Sequence, residues 1–382
     1  MTGLKKHQQR ICLFFTNPLS LKTWEEFGII DRETILYKYL CDKNINVSFF
    51  TYGNEQDYKY SEAIFPITIR PAYENSTPPQ TLPGRIISSL IIPFKFYSFF
   101  KEQDILKTNQ MRGAWIPLMV KWLTGKKLLV RCGFEQYQLL MVKKASYFKC
   151  WFYYFLSKVV YKNGDAIIVT SSSIADFIST TFVIDRGKIS VYSNLIDTEI
   201  FRFSEIGKEE KKLLFVGRLN SEKNLFNLIT AVKKVNIPLT IVGEGELLSD
   251  LQEHTAQISA DVTFLGLVPN PELPELIAQH NIFILPSLNE GNPKVLLEAM
   301  SCGRAVIGTD VPGIRNIISH QINGLLCGTE ADQIAGAVDI LHNDINLQQT
   351  LGKNARQYIE NNCSAEKIVS QEIAVIRRLL NE

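Results

Sequence analysis

Two glutamates eight positions apart mark the most chemically pointed segment of the chain, EGNPKVLLE at residues 290–298. Asn292 is a good helix N-cap, Pro293 a good first helical residue and Gly303 a good stop, so the spacing predicts a helix over 293–301. Glu290 then lies just before the helix and Glu298 about two turns into it. The first turn of a helix offers backbone N–H groups and the positive end of a dipole, which suits a phosphate. A carboxylate accepts two hydrogen bonds at once, which suits the vicinal hydroxyls of a sugar or ribose. Read blandly, Glu290 is an acid near a helix start and Glu298 a surface charge. Yet Glu298 sits inside VLLEAM, an otherwise apolar stretch, where a carboxylate demands polar company.

Two cations precede this segment. Arg218 and Lys223 lie in GRLNSEKN at 217–224, between an apolar run at 213–216 and a helical pattern. Gly217 permits a tight exit from the run. Cations beside a helix start make an anion site fit for a pyrophosphate. By composition alone the same loop also reads as solvated, with two surface cations. A further run at 239–242 is followed by Gly243, Glu244, Gly245 and Glu246. Glycines there permit close backbone approach to a ligand, and plain turn geometry explains them equally well.

The elements that must position these residues follow from short apolar runs alternating with helix-period stretches. The runs are 11–15, 47–51, 105–107, 127–130, 166–169 and 189–192 in the first half. In the second half they are 213–216, 239–242, 262–265, 282–285, 305–308 and 324–326. Continuous apolarity suits parallel strands buried on both faces. The fold class expected is α/β: two Rossmann-like doubly wound parallel-sheet domains facing a central cleft. The expected boundaries are an N-terminal domain at 1–198, a C-terminal domain at 199–364, and a helix at 365–382 packing back on the first. Ligands of such sheets bind beyond the carboxyl ends of the strands, which is where the residues above fall.

In this order the segments are similar to the glutamate–seven–glutamate signature of the retaining GT4 (group 1) glycosyltransferases, which have the GT-B fold. Glu290 and Glu298 stand at its two positions, and the resemblance extends through VGRLNSEKNL, VGEGELLSDL, AVIGTDVPGIRNII, NGLLC and YSNLIDTEIF, roughly residues 189–330. It implies a nucleotide-diphosphate sugar as co-substrate and no metal or other cofactor. The same resemblance makes the N-terminal domain acceptor-binding and the C-terminal domain nucleotide-sugar-binding. Arg218 and Lys223 would bind the diphosphate and stabilise the leaving group. Glu290 would act with them on the donor sugar, helped by Gly291, Asn292, Pro293, Lys294 and Val295. Glu298 would hold the ribose, and the loops carrying Gly217, Gly243, Glu244, Gly245 and Val268 would frame the nucleotide.

Two departures from that family fall in the first half. A Gly-Gly pair usual near the donor phosphates is reduced to Gly28, in a loop where Ser20, Lys22 and Thr23 could offer replacement donors. The histidine common near the reacting sugar is missing, since the sole His before residue 200 is His7. The counterpart segment, VRCGFE at 130–135, offers Arg131 and Glu135 as acceptor contacts, or equally as a strand-end ion pair. Loss of the His does not forbid retention, because the leaving phosphate itself can take the acceptor's proton.

Composition excludes disordered and disulfide-stapled classes: 46% of residues are apolar and 21% charged. The net charge of +2 hides an asymmetry. Residues 1–200 hold 25 Lys and Arg against 17 Asp and Glu, whereas 201–382 hold 16 against 22. Much of the excess falls in aromatic-rich stretches at 85–101 and 143–162. These read either as core helices with snorkelling lysines or as surfaces for an anionic membrane, and no motif for nucleic acid accompanies them. Seven scattered cysteines, with no CxxC pair, suit a reducing compartment, and no apolar run approaches the length of a membrane span. The expected location is cytoplasmic, peripheral on the inner membrane face. The expected reaction moves a sugar to a hydroxyl of a lipid-linked or polysaccharide acceptor. The rivals are a nucleotide-sugar epimerase of the same fold, which would want more acid–base groups in the first half, and a non-catalytic sugar- or nucleotide-binding protein.

Overall fold

A computed structural model describes residues 8–142, 144–206 and 212–381. His7 and Lys143, and residues 207–211 of the charged connector, lie outside the described residues. The chain divides into two compact units, Met1–Tyr192 with Val369–Glu382, and Ser193–Ile368.

The first unit holds seven parallel strands: β1 (Arg10–Phe14), β2 (Asn46–Thr51), β3 (Thr68–Pro71), β4 (Ile105–Thr108), β5 (Lys127–Cys132), β6 (Ala166–Val169) and β7 (Ile189–Val191). They lie in the order β3-β2-β1-β4-β5-β6-β7. The second unit holds six, β8 (Leu213–Val216), β9 (Leu239–Val242), β10 (Val262–Phe264), β11 (Ile282–Leu285), β12 (Ala305–Thr309) and β13 (Leu325–Cys327). Their order is β10-β9-β8-β11-β12-β13, again all parallel. Two Rossmann-like sheets are thus present, as the alternation of apolar runs and helical stretches predicts. The central strands β4, β6, β8, β11 and β12 are buried along their whole length, because helices cover both faces.

The strand without a sequence signal is β3. It reads TIRP, is partly exposed, and ends on a proline. As an edge strand it needs neither continuous apolarity nor a full set of N–H donors.

A buried charge network ties the last helix, Ala365–Leu380, into the first unit. The Lys107 ammonium donates to Glu372 Oε1 at 2.5 Å, and the Tyr192 hydroxyl donates to Glu372 Oε2 at 2.5 Å. The Lys107 and Glu372 side chains are fully buried, with Lys107 over the Tyr37 ring. Burial pushes the Glu372 carboxyl up, but Lys107, Tyr192 and Arg131 outweigh it and hold it below its ordinary value. Removing one partner strands the other charge in the core. Glu372→Ala should therefore cost about 3–5 kcal/mol in denaturant unfolding, and the double replacement Lys107→Met with Glu372→Leu should cost much less. An Ala variant as stable as the parent would mean that the pair does not hold the helix.

Candidate functional site

The strand order places β8 and β11 side by side although β9 and β10 intervene in sequence. The order reverses direction at this point, so the loops leaving the carboxyl ends of β8 and β11 open next to each other. The chain leaves β8 through Gly217, whose N–H donates to the Val242 carbonyl at 2.9 Å. A single 3-10 turn, Ser221–Lys223, follows. The Lys223 ammonium donates to Glu290 Oε1, and Ser287 Oγ donates to the same oxygen at 2.7 Å. The Lys223 and Glu290 side chains are only 15% and 12% exposed. Backbone contacts reinforce the link: Leu288 N–H donates to the Glu222 carbonyl at 2.8 Å, and Thr309 Oγ1 donates to the Ser287 carbonyl. Arg218 stands exposed beside them and forms no ion pair among the described residues. Ser287 and Thr309 carried no sequence signal beyond their places at strand ends.

The glycines of the neighbouring loop serve backbone packing. A Cβ at 243 would lie 1.9 Å from the Gly217 carbonyl oxygen, and one at 245 would lie 2.3 Å from that of Leu219. Gly243 also has φ +131°, a region that other residues rarely adopt. Its N–H donates to the Gly266 carbonyl at 2.7 Å, and Leu219 N–H donates to the Glu244 carbonyl at 2.9 Å. The loops after β8, β9 and β10 are therefore in mutual contact, with Glu244 and Gly245 exposed and Val268 half-buried against the core.

The helix after β11 runs Lys294–Ser301, one residue later than the sequence predicts. Its N-cap is Pro293, which makes no side-chain cap. Asn292 is not the cap because its side chain is committed elsewhere. Asn292 Oδ1 accepts from Asn194 Nδ2 at 2.8 Å, from the Asn194 N–H at 3.2 Å and from Ser193 Oγ at 3.2 Å. The N-cap residue of this helix start therefore supplies no side-chain hydrogen bond to the first turn. Gly291, Lys294 and Val295 line that start and are partly exposed. Gly313 lets the next loop press against it, because a Cβ there would meet the Glu290 carbonyl oxygen at 2.1 Å. Glu298, in the second turn, is 1% exposed.

Residues 196–358 match the family model for glycosyl transferases group 1. The match lies within the second unit and shows which family that part of the chain is similar to. A curated relative, an uncharacterized glycosyltransferase of Methanocaldococcus jannaschii, is 28% identical over 63% of this chain, which spans 66% of that relative's length. A capsular polysaccharide biosynthesis glycosyltransferase of Staphylococcus aureus is 27% identical, over 74% of this chain and 79% of its own length. Among solved structures, Anabaena HepE in complex with UDP-glucose matches with a TM-score of 0.75 at 15% identity, over 98% of this chain and 100% of that one. The last likeness shows the fold, that of GT-B glycosyltransferases.

The other sequence-derived residues lie in the first unit. Gly28 is an exposed helix stop at φ +61°, closing the helix Leu21–Glu26. Ser20 and Thr23, read as replacement donors, are instead spent on each other: Thr23 N–H donates to Ser20 Oγ at 3.2 Å in a capping box at the start of that helix. Lys22 is exposed and 3.9 Å from Glu26. Arg131 is on β5, where burial pushes its guanidinium down but the surrounding Tyr37, Glu372, Glu33 and Tyr192 outweigh it and hold it above its ordinary value. Glu135 is buried and accepts from Ser157 Oγ at 2.7 Å and from the Gln138 N–H at 2.8 Å. Burial pushes its carboxyl up. Among the described residues no three His, Cys, Asp or Glu side chains are placed to hold a metal ion.

The glycine contacts make a stability forecast. Gly243→Ala forces a Cβ into the Gly217 backbone, which has no flexible end to yield, and should cost about 1–3 kcal/mol or more in denaturant unfolding. A variant with unchanged stability would show that the β8 and β9 loops do not pack as described.

Proposed function

We propose that the chain is a metal-independent retaining glycosyltransferase of the GT4 type, using a nucleotide-diphosphate sugar as donor and a hydroxyl of a lipid-linked or polysaccharide intermediate as acceptor. The observation that carries this reading is the joined pair Lys223–Glu290 beside exposed Arg218 and an uncapped helix start. That set offers what diphosphate departure needs. As the bond from the anomeric carbon to the β-phosphate oxygen breaks, negative charge grows on the diphosphate. Arg218, Lys223 and the N–H groups at Lys294 and Val295 are suited to stabilise it. Two protein cations, one of them held by Glu290, can supply the compensation that a divalent ion gives elsewhere.

Glu290 is assigned the hydroxyls of the donor sugar. Its pairing with Lys223 orients the carboxylate, so the residue assigned the sugar and the residue assigned the phosphate are positioned together. Glu298 is assigned the ribose; its near-complete burial makes each hydroxyl it accepts hard to replace by water. The acceptor hydroxyl attacks from the face that the diphosphate leaves. Its proton passes to the departing phosphate oxygen, which balances the step without a protein base.

The acceptor's polar end is assigned to the first unit. There a polar hollow at the carboxyl ends of β1 and β2 is lined by Ser20, Lys22, Asn54, Asp57 and Arg85, among others. The likeness to a Staphylococcus aureus glycosyltransferase of capsular polysaccharide biosynthesis supports a glycan-assembly acceptor.

A donor screen read by mass spectrometry, with membrane extract as acceptor, should reveal one productive nucleotide-sugar. With that donor, Lys223→Ala and Glu290→Ala should each lower kcat/KM by about 100- to 1000-fold while leaving the far-ultraviolet circular dichroism unchanged. EDTA should leave the rate unaltered. Parental rates in both variants would refute the site, and no transfer or hydrolysis of any nucleotide-sugar would refute the reading.

A further inference from the structure

Three helices of the first unit carry a feature that sugar transfer does not use. Leu82–Lys95 lies between β3 and β4, Trp115–Thr124 between β4 and β5, and Tyr147–Asn163 between β5 and β6. Each crossover leads toward the same edge of the sheet, so right-handed connection puts all three on one face. Neighbouring helices of the three pack on each other. Their inner sides are core, with Ile92, Ile116, Val120 and Val160 fully buried.

Their outer sides are apolar as well. Leu82, Ile86, Leu90 and Phe94 recur at four-residue steps along one stripe and are 49–71% exposed. On the third helix Trp151 stacks between Phe148 and Phe155, with ring centroids 6.3 and 6.1 Å away, and all three rings are more than half exposed. Trp122, on the helix between, is 59% exposed. The reading of the aromatic-rich stretches as core helices is therefore met on one side of each helix only.

The charge pattern selects the occupant. Residues 82–101, 111–134 and 136–164 contain no Asp or Glu and 13 Lys and Arg. Lys95, Lys144, Lys149 and Lys162 are exposed. Within the three helices themselves, six Lys and Arg stand against no Asp or Glu. A stripe of aliphatic and aromatic side chains edged by cations and free of acids matches the boundary between headgroups and acyl chains. No helix among the described residues is long and apolar enough to cross a membrane, so the face can lie on a bilayer but its helices do not span one.

We propose that this face of the first unit docks on an anionic lipid bilayer. The three helices insert Leu90, Phe94, Trp122, Trp151 and Phe155 at the interface, and the lysines meet the headgroups.

The test is co-flotation of the full chain with vesicles of phosphatidylcholine, with and without phosphatidylglycerol. Binding should appear on the anionic vesicles, at least about tenfold tighter than on the neutral ones, and should fall as salt is raised. The double variant Trp151→Glu with Phe155→Glu should lose it. These side chains are exposed, so the variant's thermal melt should match the parent's. A second variant, Lys144→Glu with Lys149→Glu, removes charge without touching the rings and should weaken binding to anionic vesicles by about tenfold or more. The proposal is overturned if the parent floats with neither vesicle or if both double variants bind like the parent. It is equally overturned if sedimentation shows a stable dimer that the Trp151–Phe155 variant dissolves, since the face would then be an interface between copies.

Discussion

The ion pair between Lys223 and Glu290 joins the loop after β8 to the loop after β11, and much of the second unit exists to make that short span possible. Neither residue could reach the other without the parallel order that sets β8 against β11. The loops could not close without Gly217, Gly243 and Gly313, where side chains would collide with neighbouring carbonyls or rings. Ser287, Thr309 and the Leu288 N–H then hold the acidic loop from behind. Asn194 holds it from the side by occupying Asn292. The cost of this bracing is an uncapped helix start, and that is the feature an anionic group can use.

Much of this was legible in the sequence. Strands buried on both faces cannot afford polar alternation, so twelve apolar runs fell on strands within a residue or two at either end. β3 escaped because an edge strand faces fewer constraints. The contact of Lys223 with Glu290 was legible because both sit at fixed offsets from strand ends, which the fold turns into proximity. The cap at Asn292 was misread for a physical reason. Local propensity favours Asn at a helix start, but Asn194 comes from nearly a hundred residues away and competes for the same oxygen. The glycines were ambiguous between ligand approach and turn geometry, and their contact with another loop is a tertiary fact that no local pattern contains. Ser20 and Thr23 show the reverse case: a loop that looked like a set of spare donors is a short helix that consumes them.

The first unit is organised around a different constraint. The buried Glu372 carboxylate takes Lys107 from β4 and Tyr192 from the end of β7, so the last helix is bound to the first sheet by charge as well as by packing. Arg131, on the strand next to β4, adds to the same field, and Glu135 is engaged in local helix contacts. Both residues thus have structural surroundings that account for them. The charge asymmetry of the two halves also takes a spatial form. In the first unit three helices with exposed apolar stripes carry cations and no acids, while in the second the cations Arg218 and Lys223 lie in the loop at the switch point of the sheet.

The central claim is that the switch point of the second sheet binds a diphosphate with protein cations and backbone donors alone. Isothermal titration calorimetry of the full chain with a panel of nucleoside diphosphates, in the presence of EDTA, tests it most directly. The account predicts saturable one-site binding of at least one member of the panel, undiminished by the chelator and lost when Arg218 and Lys223 are both replaced by Ala. Binding that requires an added divalent ion, or that survives loss of both cations, would contradict it.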